Sequence, residues 1–344
     1  MKIILAIIIF SAIVLFHELG HFLFAKKCGV KVNEFCLGLG PTLISWGKGE
    51  TKYCLNLIPF GGACVMEGED ESSGDDRAFN SKTAWERFQI IVAGPLFNLI
   101  LAYILGCIYI AMIGYDAPVI YKVDEGSPAY EAGLTEKDEI VKINGYNLHF
   151  YQELSFYNFF NKGETETITY FRDGSKNSVT LTPRYDEETG RYMIGIYSLR
   201  ERKKCHGLEV MAYGAYEVKC QVFVTIQSLK MLVSGQVGLE NMSGPVGIVD
   251  TIGDVYEASA PSGVFYVVVN MLSIAILLSA NLAVMNLIPF PALDGGRIFL
   301  ILIELIRRKK LDPELEGKIN FAGFAVLMAF MIFVMCNDIT KLIK

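Results

Sequence analysis

Residues 3–25 read IILAIIIFSAIVLFHELGHFLFA, an apolar run that carries His17, Glu18 and His21 near its end. A helix that crosses a bilayer needs about 20 consecutive apolar residues, and this run is long enough. It has no strongly basic start and no small-x-small cleavage site, so it reads as a retained span rather than a removable signal. The three ionisable groups are costly there, by about 2.5–3.5 kcal/mol for a charge at the centre of a span. A passive anchor has no use for them. A metal ion offsets the cost. On a helix, residues i and i+4 share a face, so His17 and His21 can hold one zinc. Zinc lowers the pKa of a bound water toward about 7, and Glu18, beside the two ligands, can take its proton and later pass it to a leaving amine.

Two imidazoles leave zinc short of a ligand. A distant apolar run, from Val264 to Ile306, is too long for one span, and Pro289 and Pro291 interrupt it within the stretch NLIPFPALDGG, residues 286–296. Broken backbone at membrane depth is tolerated where it lines a protein cavity. Asp294 follows the break and is the natural third ligand; helix capping is its competing role. The spacing predicts about one zinc per chain, with no other ligand cluster. His149 and His206 are expected to be dispensable.

Other bulk features agree with a membrane protein. The 344 residues are 52% hydrophobic and 20% charged. Further spans are expected over residues 90–113 and 321–336, giving about four transmembrane helices. The net charge of −6 argues against nucleic acid as a partner. Eight cysteines form no C-x-x-C pair and read as buried thiols. Eight basic residues between Lys26 and Arg87, Lys48 among them, and five between Arg307 and Lys318 place those two loops in the cytoplasm. Both termini and the long segment from Tyr115 to about Pro261 are then extracytoplasmic.

The loops have their own patterns. Residues 31–37, 42–46 and 52–58 are strand-like, separated by Gly and Pro turns, and predict a membrane-associated β-hairpin loop. An edge of such a sheet near the zinc could pair with an unwound substrate. The outer segment combines a Ser127-Pro128 helix start, a strand over 139–143, an Asn144-Gly145 turn and a hairpin turning at Asp173-Gly174. It reads as a small α+β insert. Residues 209–234 are amphipathic. They either lie on the membrane surface or pack on the insert. The expected division is 1–114 for the N-terminal membrane half, 115–200 for the insert, 201–262 for the amphipathic segment and 263–344 for the C-terminal membrane half.

Here a resemblance becomes specific. GSPAYEAGL at 126–134 followed by DEIVKING at 138–145 resembles a PDZ domain of bacterial protease type. With HELGH in the first span and the distant NLIPFPALDGG, the whole chain resembles the site-2 protease family, more closely its bacterial regulator-of-sigma-E protease type. GLGP at 38–41, IPFGG at 58–62, AGPLFN at 93–98 and SGPVG at 243–247 extend the match over nearly the full length. The resemblance implies a zinc metalloendopeptidase of the bacterial inner membrane. Its partners would be single-span substrates, such as anti-sigma factors or remnant signal peptides, trimmed first by another protease. It also implies zinc on His17, His21 and Asp294, catalysis by Glu18, substrate contact at Asn286, Gly61 and Gly62, and capture of peptide C-termini by the PDZ-like domain. ACVM at 63–66 departs from the family's usual aromatic and basic residues there, and one PDZ-like domain stands where some members have two. A metal transporter or sensor would need more polar groups along the spans, and a membrane-tethered adaptor would not need the intact ligand set.

Overall fold

The computed structural model describes residues 2–47, 49–69, 73–198, 202–238 and 242–343. Lys48 and the expected domain join at 200/201 lie outside them.

Among the described residues, four helices are long and apolar enough to cross a membrane: α1 (Lys2–Lys27), α2 (Ala84–Ile113), and two in the C-terminal part, at Val264–Asn286 and Pro313–Ile343. Chain contacts divide the protein into two compact units, Met1–Leu105 with Ser228–Lys344, and Gly106–Gln227.

In the first unit, α1 and α2 approach closely because Gly20 has no side chain; a Cβ there would meet the Ala93 carbonyl oxygen at 2.3 Å. Between them lie two 15-residue strands, β1 (Val32–Trp46) and β2 (Lys52–Met66). Each doubles back on itself. Cys36 faces both Cys54 and Ala63, while Cys54 also faces Ser45. The spatial order is therefore 62–66, 32–39, 52–58, 42–46, four segments in place of the three expected. The last strand expected from sequence ends at residue 58, but the chain re-enters the sheet at 62–66. Gly61 has φ +89°, a left-handed conformation that favours glycine. Gly62 lets the edge segment pass α1: a Cβ there would lie 3.0 Å from Glu18 Cγ and Val14 Cγ1.

The second unit is α+β. Strands β3 (Glu139–Ile143), β4 (Tyr146–Asn147), β5 (Glu166–Arg172) and β6 (Ser175–Leu181) form an antiparallel sheet in the order β4-β3-β5-β6. Its turns fall where the sequence places them, with φ +45° and +84° at Asn144-Gly145 and +50° and +78° at Asp173-Gly174, the type I′ signature. Ser127 caps the short helix that follows it, accepting from the Tyr130 amide. Helix α3 (Tyr151–Asn161) was not evident in the sequence. Its start is fixed by Glu153, fully buried, whose carboxylate accepts from the His149 and Phe150 amides and from the Tyr146 hydroxyl. Buried Ile120, Leu134, Ile140, Ile143, Leu154 and Ile168 make the core. Arg172 closes it with a two-pronged pair to the buried Asp138, both contacts 2.7 Å. The amphipathic segment is helix α4 (Leu208–Val233); within this unit its Lys219 reaches Glu153, and its Phe223 packs on Tyr146.

The first unit resumes at Ser228, within α4, and continues with α5 (Pro245–Ser259) and then α6 (Val264–Asn286). The proline-rich break follows, and α7 (Asp294–Arg307) and α8 (Pro313–Ile343) complete the chain. Gly295 and Gly296 allow the first turn of α7 to stack on the break. A Cβ on either would lie within 2.4 Å of the carbonyl oxygens of residues 287–290.

Candidate metal centre

The two histidines of α1 face the start of α7. Nε2 of His17 lies 3.2 Å from Nε2 of His21, and these atoms lie 3.2 and 3.5 Å from Oδ2 of Asp294. All three side chains are largely buried. The leucine before Asp294, not Asp294, occupies the N-cap position of α7. The Asp294 carboxylate is thus turned to the histidines rather than to the helix end.

The arrangement fits a zinc ion. Ligand atoms at about 2.0–2.1 Å in a tetrahedron stand about 3.3–3.4 Å apart, and the three measured separations straddle that value. Proton placement agrees. Nδ1 of His21 is 2.9 Å from the Ile90 carbonyl oxygen, which can only accept, so the proton of the neutral ring sits on Nδ1. Nε2 is left with its lone pair aimed at two other electron-rich atoms. Oδ2 of Asp294 is buried with no hydrogen-bond donor. Two imidazole nitrogens and a carboxylate oxygen converging in this way are the donor set of a metal ion.

The surrounding cavity, about 380 Å3, is lined by Glu18, residues 63–66, Asn286 and Asp294, among others. Glu18 follows His17 and is half-buried. The Asn286 amide lies 3.3 Å from His17 Nε2, at the last residue of α6 before the break. Gly61 and Gly62 lead into the edge segment 62–66, of which 63–66 line the cavity. His149 stacks on Tyr216 within the second unit.

Several residues here were missed from sequence. Gly94 of α2 is one: a Cβ would sit 2.3 Å from His21 Nε2 and 2.8 Å from His17 Cε1. Asn98, one helical turn on and fully buried, places its amide 3.3 Å from His17 Nδ1. The i, i+4 spacing of Gly94 and Asn98 was the available signal. Arg297, one turn after Asp294, pairs with Glu69 at 2.8 Å, and both line the cavity. The expectation of no other ligand cluster is corrected as well. Glu34, Cys36 and Cys54 bring their donor atoms within 4.8 Å of one another, through a strand register that sequence does not reveal.

Membrane-crossing helices that enclose a polar, metal-fitting cavity define a class, the integral-membrane metallohydrolases. The chain belongs to Peptidase family M50, the site-2 proteases, whose family model matches residues 5–330. It is a zinc metalloprotease of that family and an integral membrane protein. It is 41% identical to a relative from Clostridium acetobutylicum over 98% of this chain and 97% of that one. It is 31% identical to the zinc metalloprotease RasP of Geobacillus kaustophilus, covering 97% of each chain. Identity to the regulator of sigma-W protease RasP of Bacillus subtilis is 30%, over 98% of this chain and 97% of that one. A crystal structure of the PDZ domain of an SdrC-like protein from Listeria monocytogenes aligns at 25% identity, covering 25% of this chain and 92% of that one, with a TM-score of 0.23. The α+β description of the second unit rests on its own strands.

Proposed function

We propose that the chain cuts single-span membrane proteins within their transmembrane segments, with His17, His21 and Asp294 holding zinc and Glu18 as general base. The observation that carries this reading is the buried trio of ligand atoms, 3.2–3.5 Å apart, at the separations of a tetrahedral zinc site. When bound, zinc supplies a Lewis acid that activates water and polarises the scissile carbonyl. Glu18 takes the proton of the attacking water and delivers it to the leaving nitrogen. The Asn286 amide, beside His17, binds the substrate backbone. The edge segment entered through Gly61 and Gly62 pairs with an extended substrate, because a peptide bond inside a helix is shielded from attack.

The charge bias places the residue 26–87 loop in the cytoplasm and both termini outside. On that topology the membrane halves 1–114 and 263–344 form the protease. The insert 115–200 and the amphipathic segment 201–262 are extracytoplasmic. The insert is PDZ-like and takes peptide C-termini left by an earlier protease. A cleft bounded by α3 and residues 191–196 is open for such a peptide. Substrates of the anti-sigma-factor or remnant-signal-peptide kind suit this arrangement, and one relative is named for a sigma-factor pathway.

Glu18→Gln tests the reading in detergent-purified full-length protein. It should keep its zinc and lose about 10²-fold or more of its cleavage rate. Peptides trapped by this variant should be membrane spans. Cutting at the wild-type rate would remove Glu18 from the mechanism, and trapped peptides of soluble character would overturn the substrate class. Undiminished zinc in His21→Ala or Asp294→Ala would remove that ligand.

A further inference from the structure

The central segments of the hairpin sheet carry the second trio of potential ligands. Glu34 and Cys36 are two apart in β1 and so share a face. Their partners across the sheet are Lys52 and Cys54. The four side chains form a square. Phe35, between Glu34 and Cys36, points the other way and packs on Phe22 of α1, ring centroids 5.1 Å apart. The square therefore faces away from α1 and from the histidine pair.

Its contents suit a soft cation. Cys36 and Cys54 are only 4% and 2% exposed. The Cys36 thiol is 3.8 Å from Oε2 of Glu34, while Oε1 accepts from the Lys52 ammonium at 3.2 Å. Around zinc, thiolate sulfur at about 2.3 Å and carboxylate oxygen at about 2.1 Å stand about 3.6 Å apart, and two sulfurs about 3.8 Å apart. The trio, all within 4.8 Å, needs only a small contraction to reach that geometry.

We propose that Glu34, Cys36 and Cys54 form a second metal site, distinct from the peptidase centre, that takes zinc or another thiophilic divalent ion. Binding displaces the two thiol protons and forms two metal–sulfur bonds and one metal–oxygen bond, with the fourth position left to water. Two thiolates and a carboxylate around a divalent ion leave one net negative charge, which Lys52 offsets. A carboxylate aimed at the sulfur distinguishes this arrangement from a pair built only to form a disulfide, in which Glu34 has no part.

The site has a mechanical consequence. The segment carrying Glu34 and Cys36 pairs on its other side with residues 62–66, which enter the peptidase cavity. An ion bridging Cys36 to Cys54 clamps the two central segments together and fixes the edge strand beside them. It is a structural ion, filled independently of the peptidase centre.

Metal content of the full-length protein in detergent tests the proposal, with cadmium as the spectroscopic probe. Wild type should hold close to two zinc ions per chain, and cadmium should produce the ultraviolet charge-transfer absorption of thiolate–cadmium bonds. Cys36→Ser and Cys54→Ser should each hold close to one ion and lose the band. Glu34→Gln should keep the band but need a higher cadmium concentration to develop it. His21→Ala should also hold one ion yet keep the band, which separates failure of this site from failure of the peptidase centre. Two results on wild type alone, independent of whether the variants fold, would overturn the proposal: a single zinc with no band, or a mass two hydrogens lower with Cys36 and Cys54 joined in a disulfide. A band that persists in both serine variants would do so too.

Discussion

Asn98 of α2 faces Nδ1 of His17 at 3.3 Å, and its own Oδ1 is buried without a hydrogen-bond partner. A histidine that binds metal through Nε2 carries its proton on Nδ1 and needs an acceptor there. Turned about its Cβ–Cγ bond, the Asn98 amide presents Oδ1 to that proton, which satisfies both atoms at once. The backbone on which it turns is held by Ser279 of α6, whose hydroxyl donates to the Asn98 carbonyl at 2.8 Å. Ile90 serves His21 in the same way, so both imidazoles are oriented by α2. Asn98→Leu should weaken zinc binding about 10- to 100-fold, read by competition with a chelator. Wild-type affinity in that variant would show that His17 is oriented by something else.

Gly94 stands between these two contacts on the same helix. Its Cβ would occupy the space of the His21 ring, and the nearest atoms belong to a side chain fixed at both ends. Gly94→Ala should therefore release the zinc of the histidine site while leaving the protein folded. Gly74, where a Cβ meets nothing within 4 Å, is the matched control, and Gly74→Ala should retain full zinc. Equal metal content in the two variants would refute the close approach of α2.

Arg87 and Glu304 form a buried ion pair between the start of α2 and the end of α7, 2% and 5% exposed. Glu304 also accepts from the Leu311 amide at 2.7 Å. Removing one member leaves the other charge buried and alone, which costs about 3–5 kcal/mol. Glu304→Ala should lower the unfolding midpoint in detergent sharply. The double substitution Arg87→Met with Glu304→Met should recover much of the loss, because a well-packed apolar pair avoids the desolvation cost. A double variant no better than the single one would mean that packing, not charge, holds this junction.

Glu166, at the start of β5, is buried, and burial pushes its carboxyl up from 4.5 to about 7 despite the Asn161 amide at 3.1 Å. The folded state prefers the protonated form. Stability of the second unit is therefore full below pH 4.5, falls as pH rises through about 7, and is flat above it. The shift, with the opposing Asn161 hydrogen bond already included, corresponds to about 3 kcal/mol. Glu166→Gln should slow hydrogen exchange across residues 166–172 of the full-length protein at pH 8 and leave it unchanged near pH 4.5. A variant that is less protected at pH 8 would show that the carboxylate is tolerated as an anion.

What was legible in the sequence follows from how far apart the deciding residues lie. The i, i+4 histidines, the proline break before Asp294 and the Asn-Gly and Asp-Gly turns are local patterns, and each appears in the structure. The edge segment 62–66 was hidden because Gly61 and Gly62 have the signature of a turn, yet here they allow a strand to pass Glu18. The Glu34–Cys36–Cys54 trio depends on register between strands, and the Arg87–Glu304 pair on contact between helices 217 residues apart in the chain. No short window contains either. Asp294 itself was found because the chemistry of zinc requires a third ligand, not because any periodicity points to it.

Depth in the membrane gives the last prediction. At about 1.5 Å per residue, His21 lies about 8 Å and His17 about 14 Å from the Lys26 end of α1. With that end cytoplasmic, the metal centre sits in the cytoplasmic half of the bilayer, and substrates should be cut in the matching part of their spans. On the proposed mechanism the scissile bond leaves its helix to reach Glu18 and the edge segment, so Gly, Pro or Asn near the cut should speed cleavage by lowering helix propensity. A substrate series that varies only those positions, with cut sites mapped by mass spectrometry, measures both effects. Cuts confined to the outer half would reverse the orientation assigned from the basic loops. Rates that rise with helix propensity would mean that substrates are bound and cut as helices, and the edge segment would then have no part in presenting them.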